Sequence, residues 1–245
     1  DGGAPPQPTA AAVGTWWPRL ARPPKLDEYD AMTLLRDFGL PANPGHIVEN
    51  EASARAAARE IGYPVVLKTA VRGIDHKSDR DGVHLNLTDE TSVSAAYKDL
   101  ASRIGPRALV APMITAQGVE MMLGMVRDAQ FGPVVLIGFG GVHVEALADV
   151  AYALPPFDAS EARRLVARLK LSPLLESRRH KRKLAIDELC ATAARFSALV
   201  AALGEELAEM DLNPVIVHAD GCSIVDALIV ARERHDIAEA RARQA

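Results

Sequence analysis

Hydrophobic and polar residues alternate along the chain in two periods, which together predict a mixture of helices and strands. Apolar residues recur at helical spacing over Leu26–Leu35, and four later stretches have the same period. Short apolar runs rich in β-branched residues predict strands. The later predicted helices are Glu49–Ile61, Thr91–Ile104, Ala159–Leu169 and Ile186–Leu203, and the predicted strands are Tyr63–Ala70, Val83–Leu87, Ala108–Met113, Val119–Val126, Phe131–Gly138, Glu209–Val217 and Cys222–Val230. Because helices and strands alternate unevenly and neighbouring strands are expected to be antiparallel, the predicted class is α+β.

The composition is that of an ordinary globular protein and excludes several classes. The 245 residues are 49% hydrophobic and 24% charged, with a net charge of −4. That charge gives no electrostatic reason to bind nucleic acid, and no apolar run approaches the ~20 residues of a membrane span. Cys190 and Cys222 are too few for a disulfide framework. We therefore expect a cytoplasmic protein that binds neither nucleic acid nor membrane.

The two ends of the chain differ in composition from the rest. Residues 1–24 are rich in proline and alanine and have no hydrophobic period, which predicts a linker or tether. The pair Trp16 and Trp17 leaves open the alternative that this segment packs on a neighbouring surface. Residues 236–245 are predicted to be a polar tail. Since the sequence begins without methionine, we expect the tether to continue from upstream domains or to belong to a separate subunit.

A polar strand near the C-terminus carries the strongest chemical signal. Strand alternation places Glu209, Asp211 and Asn213 on one face. A turn over His218–Gly221 brings the chain back, with Asn213 opposite Asp226. Carboxylate and amide oxygens gathered in this way suit Mg²⁺. A solvated strand face carries the same residue types, so the pattern alone leaves both interpretations open.

Two other segments have the residue types that hold phosphate. Lys68 ends an apolar strand and precedes a loop, residues 71–82, that is rich in cations and glycine. The alternative for Lys68 is an exposed lysine at a sheet edge. Gly138–Gly141 closes another apolar strand without the third glycine of a dinucleotide fingerprint, so it either approaches a phosphate or makes a tight turn. Glu145 and Asp149 beyond it are either site residues or the polar face of the next element.

Taken in order, these motifs resemble the ATP-grasp domain of NDP-forming (ADP-forming) acyl-CoA synthetases, a family related to the β chain of succinyl-CoA synthetase. The matching stretches are Leu26–Tyr29, Ile61–Lys68, His76–Asp79, Gly82–Leu87, Arg127–Pro133, Gly138–Gly141, Glu145 and Glu209–Pro214. The resemblance implies an ATP-grasp domain over residues 25–235, in two lobes with a nucleotide cleft between them. Residues 45–110 are expected to form the lid lobe, and residues 25–44 and 111–235 the metal-bearing lobe.

The resemblance also implies roles for single residues. His76 resembles the histidine that takes a phosphoryl group from a partner site and delivers it to ADP, and Asp211 resembles the acid that holds this histidine. Asn213 and Asp226 resemble the Mg²⁺ ligands. The implied nucleotide-binding residues are Lys68 for the phosphates, Ala111 and Met113 at the hinge beside adenine, Glu120 for the ribose or purine edge, and Gly140 and Gly141.

The implied function is the nucleotide-binding component of an ADP-forming acyl-CoA synthetase, which makes acyl-CoA, ADP and phosphate from a carboxylate, CoA and ATP. We expect CoA and the carboxylate to bind an α subunit or fused CoA-binding domains, because only the proline-rich tether precedes Leu26. One departure is visible: after His-Lys-Ser the family reads Asp-Val-Gly-Gly-Val, and Asp81 replaces one of these glycines. Because of its charge, the alternative remains that the chain is a catalytically silent ATP-grasp module, which senses nucleotide or docks a partner.

Overall fold

The computed structural model describes residues 3–22, 26–71, 81–141, 149–176 and 182–232. Helices in these ranges are α1 (Ala10–Leu20), α2 (Glu28–Asp37), α3 (Glu51–Ile61), α4 (Glu90–Arg103), α5 (Ala159–Arg168) and α6 (Ile186–Leu203). Strands are β1 (His46–Val48), β2 (Val65–Thr69), β3 (Val83–Leu87), β4 (Ala108–Pro112), β5 (Gly118–Asp128), β6 (Gly132–Phe139), β7 (Val150–Ala153), β8 (Leu207–His218), β9 (Gly221–Ile224) and β10 (Leu228–Ala231). All ladders between these strands are antiparallel, which confirms the predicted α+β class.

The smaller of two compact units comprises Asp27–Met32 and Asn43–Thr115. Its sheet has the order β1–β4–β2–β3, so β2 is an inner strand. Every residue of β2 is buried, as a continuous apolar run predicts. Helices α3 and α4 contact each other and the sheet. The largest apolar side chains of the resulting core are Val48, Val65, Leu67, Leu87, Val93, Tyr97, Leu100 and Val110.

Both helices of the smaller unit begin at capping boxes. Asn50 accepts a hydrogen bond from the Ser53 backbone N–H at 2.8 Å, and Asp89 accepts one from the Ser92 backbone N–H at 2.7 Å. Each serine hydroxyl in turn accepts from the backbone N–H of its capping residue. These reciprocal bonds satisfy N–H groups that have no partner within the helix. Both predicted helices are confirmed to within two residues at each end.

The larger unit comprises Asp1–Leu26, Thr33–Ala42 and Ala116–Ala245, so the division between the units falls within α2. Its six-stranded sheet has the order β10–β8–β5–β6–β7, with β9 also paired to β8. Helices α5 and α6 pack against this sheet. The fully buried sheet residues include Met121, Leu123, Met125, Val135, Ile137 and Leu212. Because side chains alternate along each strand, the neighbours of these buried residues lie on the opposite face of the sheet.

Residues 1–24, which were predicted to be a linker or tether, contain helix α1 in their central part. Ala12, Trp16 and Leu20 are spaced by four and are all buried. Helix α1 contacts α6, and the Trp16 indole N–H donates to Asp37 Oδ2 at 2.8 Å. The apolar face was hard to see in the sequence because one of its three positions is alanine within an alanine run.

The C-terminal hairpin has the predicted register but an interrupted return strand. Both β9 and β10 pair with β8 in the register that was expected, and residues 225–227 between them are not in a strand. Asn213 and Asp226 occupy opposed positions between these two paired segments. The single predicted strand Cys222–Val230 is therefore two short strands that flank Asp226.

Two short strands were not predicted from the sequence. β1 has three residues and β7 has four, which is too short for an alternation to stand out. Among the described residues, no helix combines the length and the apolar character that crossing a membrane requires.

Candidate functional site

Lys68 lies inside the smaller unit and not at an exposed sheet edge. β2 pairs with β3 on one side and β4 on the other, and the Lys68 side chain is 9% exposed. Its Nζ donates to Glu28 Oε1 at 2.8 Å, and the Glu28 side chain is 4% exposed. A buried ammonium needs such a partner, because removing an isolated charge from water is very unfavourable. The alternative of a lysine with its ammonium in solvent is therefore wrong.

A second ion pair lies beside the first at the start of α2. Arg107 Nη2 is 2.8 Å from Asp27 Oδ2. The other Asp27 oxygen accepts from the Asp30 backbone N–H at 2.9 Å and so caps the helix. The Arg107 guanidinium also donates to the carbonyl of Ala70. The first turn of α2 and the end of β2 are therefore tied together by charged groups.

The predicted hinge residues Ala111 and Met113 belong to the same unit as Lys68. Ala111 is buried on β4, where it pairs with Val66 of β2. Met113 follows the strand, and its backbone N–H donates to the Pro64 carbonyl at 3.1 Å. Because that N–H is already engaged, a contact of Met113 with a purine base would use its carbonyl or its side chain.

In the larger unit, the predicted glycines lie at the end of β6, opposite Glu120 on β5. The Gly140 N–H donates to the Glu120 carbonyl at 2.8 Å. Gly141 has a φ of +87°, in the region that favours glycine. A Cβ added to Gly141 would lie 2.9 Å from Glu120 Oε2, so the glutamate side chain lies against this turn. Three of the predicted nucleotide-binding residues are therefore neighbours.

A β-bulge on β8 places Asn213 beside the same glycines. The β5–β8 ladder shifts register beside Met122, where Asn213 and Pro214 together oppose one residue. A bulge of this kind redirects side chains relative to a regular strand. Asn213 Oδ1 lies 3.1 Å from the position that a Cβ on Gly140 would occupy. The Asn213 side-chain amide therefore packs against the Gly140 backbone.

The acidic side chains of the hairpin repel one another. Burial raises the pKa of Asp211, and the charges of Glu209 and Asp226 raise it further. Within the described part of the chain, Asp211 Oδ1 is buried and has no hydrogen-bond partner. Met210 and Leu212 are buried on the opposite face, as the alternation predicted. A divalent cation would relieve both the repulsion and the unsatisfied oxygen, and these oxygen donors suit Mg²⁺.

The donor set fits a metal that is shared with a phosphate better than a metal held by protein alone. In the ranges that the structure describes, no three His, Cys, Asp or Glu side chains converge as a metal cage. Mg²⁺ in phosphate-binding sites commonly takes one or two protein carboxylates and completes its shell with phosphate oxygens and water. Asn213 and Asp226 offer an amide oxygen and a carboxylate in opposed positions. Their role as ligands remains a prediction.

Comparison with known proteins decides the family. The ATP-grasp domain family matches residues 21–231, which is most of the chain. The chain belongs to the ATP-grasp family. The β subunit of acetate–CoA ligase (ADP-forming) I from Pyrococcus furiosus is 32% identical over 212 residues, which cover 84% of this chain and 91% of that subunit. Both the predicted family and the predicted fold are confirmed.

Other relatives of this ATP-grasp chain are longer. The 4-hydroxybutyrate–CoA ligase (ADP-forming) of Nitrosopumilus maritimus is 36% identical over 215 residues, which cover 84% of this chain but 31% of that ligase. A structure of the dinucleotide forming acetyl-coenzyme A synthetase 1 of Ca. Korarchaeum cryptofilum superposes with a TM-score of 0.77 at 33% identity, covering 91% of this chain and 100% of that one. That protein is in complex with coenzyme A and Mg-AMPPCP, with its phosphohistidine segment pointing towards the nucleotide binding site.

Asp81, the residue that departs from the motif of this ATP-grasp family, has a left-handed backbone conformation. His76 and Glu145 lie outside the described residues, whereas Asp81 is described and has a φ of +48°. Arg103 Nη2 donates to the Asp81 carbonyl at 3.0 Å. Since a positive φ favours glycine, the aspartate keeps a backbone conformation that suits the glycine of the family. The difference that remains is the carboxylate charge.

Several polar residues noted in the sequence have structural partners in this ATP-grasp domain. The buried Asp149 carboxylate accepts from the backbone N–H groups of Lys170 and Leu171 at 2.8 and 2.9 Å. Arg182, which precedes α6, forms two hydrogen bonds with Asp220 at 3.0 and 2.7 Å. Asp149 therefore stabilises the backbone at Lys170 and Leu171.

Sequence reasoning missed Glu28. The residue lies in the matching stretch Leu26–Tyr29, which was the available signal, yet its partner Lys68 is 40 positions away. Pairings at that separation have no periodic signature, so only the fold of the ATP-grasp domain makes the contact visible.

Proposed function

We propose that this chain is the nucleotide-binding part of an ADP-forming acyl-CoA synthetase, which converts a carboxylate, CoA and ATP into acyl-CoA, ADP and phosphate. The observation that carries the proposal is the middle of β8, where an Asp211 oxygen without a hydrogen-bond partner among the described residues lies near carboxylates and Asn213 packs on Gly140. The charges that act on Asp211 in the described part of the chain are those of carboxylates, and a nucleotide that arrives with Mg²⁺ would bring positive charge to them. The likeness to a β subunit over nine-tenths of its length supports the same assignment.

The proposed binding roles follow the chemistry of each side chain. The Lys68 ammonium contacts the nucleotide phosphates, and Asn213 and Asp226 hold Mg²⁺ through oxygen atoms. When bound, Mg²⁺ neutralises phosphate charge and orients the transferring group. The remaining proposed nucleotide contacts are Ala111, Met113, Glu120, Gly140 and Gly141.

His76 is proposed as the carrier of the phosphoryl group. A neutral imidazole nitrogen attacks phosphorus of an acyl phosphate made on a partner, so a P–N bond forms as the carboxylate leaves. In the second transfer an ADP oxygen displaces the imidazole and ATP forms; the opposite direction uses the same steps. Asp211 is proposed to accept a hydrogen bond from the other imidazole nitrogen and so to fix its tautomer. This role rests on the resemblance of residues 76–79 to the family motif.

A partner is needed in this proposal because the chain corresponds to about a third of the longer ligases. We propose that an α subunit or fused domains supply the CoA and carboxylate sites. The chain alone then binds nucleotide but makes no acyl-CoA.

The experiment that tests the proposal is phosphohistidine detection. The chain is mixed with the α protein or domains encoded beside or fused to it, with CoA, a panel of carboxylates and γ-labelled ATP. We expect acid-labile label on His76 and acyl-CoA formation that requires both components, and no label on His76→Gln. Steady acyl-CoA synthesis by the chain alone, or label that persists in His76→Gln, would contradict the proposal.

A catalytically silent nucleotide-binding module is the second candidate, and Asp81 is the observation that favours it. Asp81 follows residues 76–79 closely in the sequence, and its negative charge would oppose the approach of a phosphate to them. The two functions separate in Asp81→Gly, which restores the residue of the family at a φ of +48°. A silent wild type that becomes labelled at His76 in this variant would favour the second candidate; equal labelling of both proteins would favour the enzyme.

A further inference from the structure

The lysine that is proposed to contact phosphate forms a buried ion pair with Glu28 within the smaller unit. Lys68 is on an inner strand of the smaller unit, and Glu28 is the first residue of α2. Both side chains are at least nine-tenths buried, and Nζ and Oε1 are 2.8 Å apart. The lysine that is proposed to contact phosphate therefore has a carboxylate against it in the structure.

We propose that Glu28 is the positioning residue for Lys68, holding its ammonium where the nucleotide phosphates meet it. This inference rests on the proposed function, in which Lys68 contacts phosphate. A lysine side chain has four rotatable bonds, and its conformational freedom must be lost before a phosphate is bound in one geometry. Because Glu28 and Lys68 both come from regular elements, the hydrogen bond fixes the ammonium before the ligand arrives.

Removing the Glu28 charge should change the affinity for phosphate-bearing ligands in opposite directions, depending on whether Glu28 repels the phosphates or positions Lys68. If Glu28 were only a negative charge near the ligand, Glu28→Gln would remove a repulsion and tighten the binding of phosphate. If Glu28 positions Lys68, the same substitution weakens the binding of phosphate-bearing ligands. Adenosine has no phosphate, so positioning of Lys68 does not change its affinity. The comparison of ADP with adenosine therefore separates positioning from a general loss of structure.

The test is a double-mutant cycle in the full chain, with Kd for ADP measured by calorimetry with Mg²⁺ and Kd for adenosine by competition. Glu28→Gln is expected to weaken ADP binding about tenfold, the scale of coupling between contacting residues, and to leave adenosine binding within about twofold. Lys68→Met is expected to weaken ADP binding at least as much. The double variant should bind ADP no more weakly than Lys68→Met alone, because Glu28 acts only through Lys68.

Asp27→Asn is the matched control. It removes the neighbouring charge opposite Arg107 at the same helix start, and asparagine keeps the helix cap. We expect ADP affinity within about twofold of wild type. Should Glu28→Gln fold poorly in a thermal melt, Glu28→Asp keeps the charge but draws the carboxylate back by one methylene, and the same selective loss of ADP affinity is expected.

The outcomes separate the inference from the proposed function. If Lys68→Met leaves ADP affinity unchanged, the phosphate role of Lys68 in the proposed function is wrong, and the positioning role is lost with it. If Lys68→Met weakens ADP binding but Glu28→Gln tightens it or leaves it unchanged, only the positioning role is overturned. Additive losses in the double variant, or an equal loss for adenosine, would likewise assign Glu28 a structural role.

Discussion

Lys68 in the smaller unit and Asp211 in the larger unit have opposite charged surroundings. In the smaller unit, each charge of interest has an opposite partner: Lys68 has Glu28, and Asp99 has Arg103. The Arg103 hydrogen bond holds the pKa of Asp99 at about 2. In the larger unit, the charged groups that act on Asp211 are carboxylates, and burial together with their charge raises its pKa.

Within the described residues, this difference indicates where a further cation would be stabilising. The smaller unit needs no further ion to balance the charges described above. The larger unit holds an acidic cluster whose unsatisfied Asp211 oxygen cannot be relieved by its carboxylate neighbours. An incoming cation would stabilise the larger unit directly, whereas the Lys68 ammonium of the smaller unit already has Glu28 as its partner. Substitutions that remove these charges one at a time test the difference between the two units.

The largest expected effect is the removal of the Lys68 charge. Lys68→Met leaves the Glu28 carboxylate buried without its cation, which is expected to lower the free energy of unfolding by about 3–5 kcal/mol. Adding Glu28→Gln should restore most of the loss, because no buried charge then remains unpaired. Urea unfolding measures both variants. Lys98→Met is the control, since Lys98 forms a solvent-exposed pair with Glu51, and such pairs contribute little to stability. A Lys68→Met loss no larger than that of the control would contradict the account.

The next effect concerns the backbone beside Asn213. In Gly140→Ala the new Cβ would lie 2.9 Å from the Met121 carbonyl oxygen and 3.1 Å from Asn213 Oδ1. Because the first contact is with backbone, the substitution is expected to cost about 1–3 kcal/mol and to displace the Asn213 amide. Calorimetry with Mg²⁺ and ADP should show weaker binding than in wild type. Gly14→Ala is the control, since a Cβ there meets nothing within 4 Å; equal behaviour of the two variants would contradict the described packing.

A smaller effect of opposite sign is expected for Asp211. Its raised pKa means that ionisation destabilises the fold, so stability falls as pH rises through and above the ordinary carboxyl range. In metal-free buffer at neutral pH, Asp211→Asn is therefore expected to stabilise the chain by about 1 kcal/mol. Mg²⁺ with ADP should remove this advantage. Thermal melts with and without chelator measure the change, and destabilisation in chelator would show that the repulsion is unimportant.

The smallest effect is that of Asp99, and its pH dependence runs the other way. With a folded pKa of about 2 against an ordinary value of 3.8, Asp99 stabilises the fold above about pH 4 and loses that contribution as pH falls towards 2. Asp99→Asn should therefore have a lower Tm than wild type at pH 5, and the difference should vanish near pH 2. A difference that grows on acidification would contradict the pairing with Arg103.

The sequence supports prediction where the signal is periodic or local. The hairpin register could be predicted because alternation along residues 209–214 and the turn at His218–Gly221 act together. The bulge that directs Asn213 towards Gly140 could not be predicted, because it depends on how β8 pairs with β5. The burial of Lys68 depends on the strand order and on a partner 40 positions away. The φ of +48° at Asp81 could not be predicted either, because the local fold sets this angle and the residue type does not.

The most direct test of the central claim is the calorimetric titration of ADP into the intact chain, with and without Mg²⁺. The account predicts binding that Mg²⁺ strengthens, a sharp loss of affinity in Lys68→Met, and loss of the Mg²⁺ dependence in Asp226→Asn. Binding of ADP that is tight in all three proteins and indifferent to Mg²⁺ would place the nucleotide elsewhere and contradict the account.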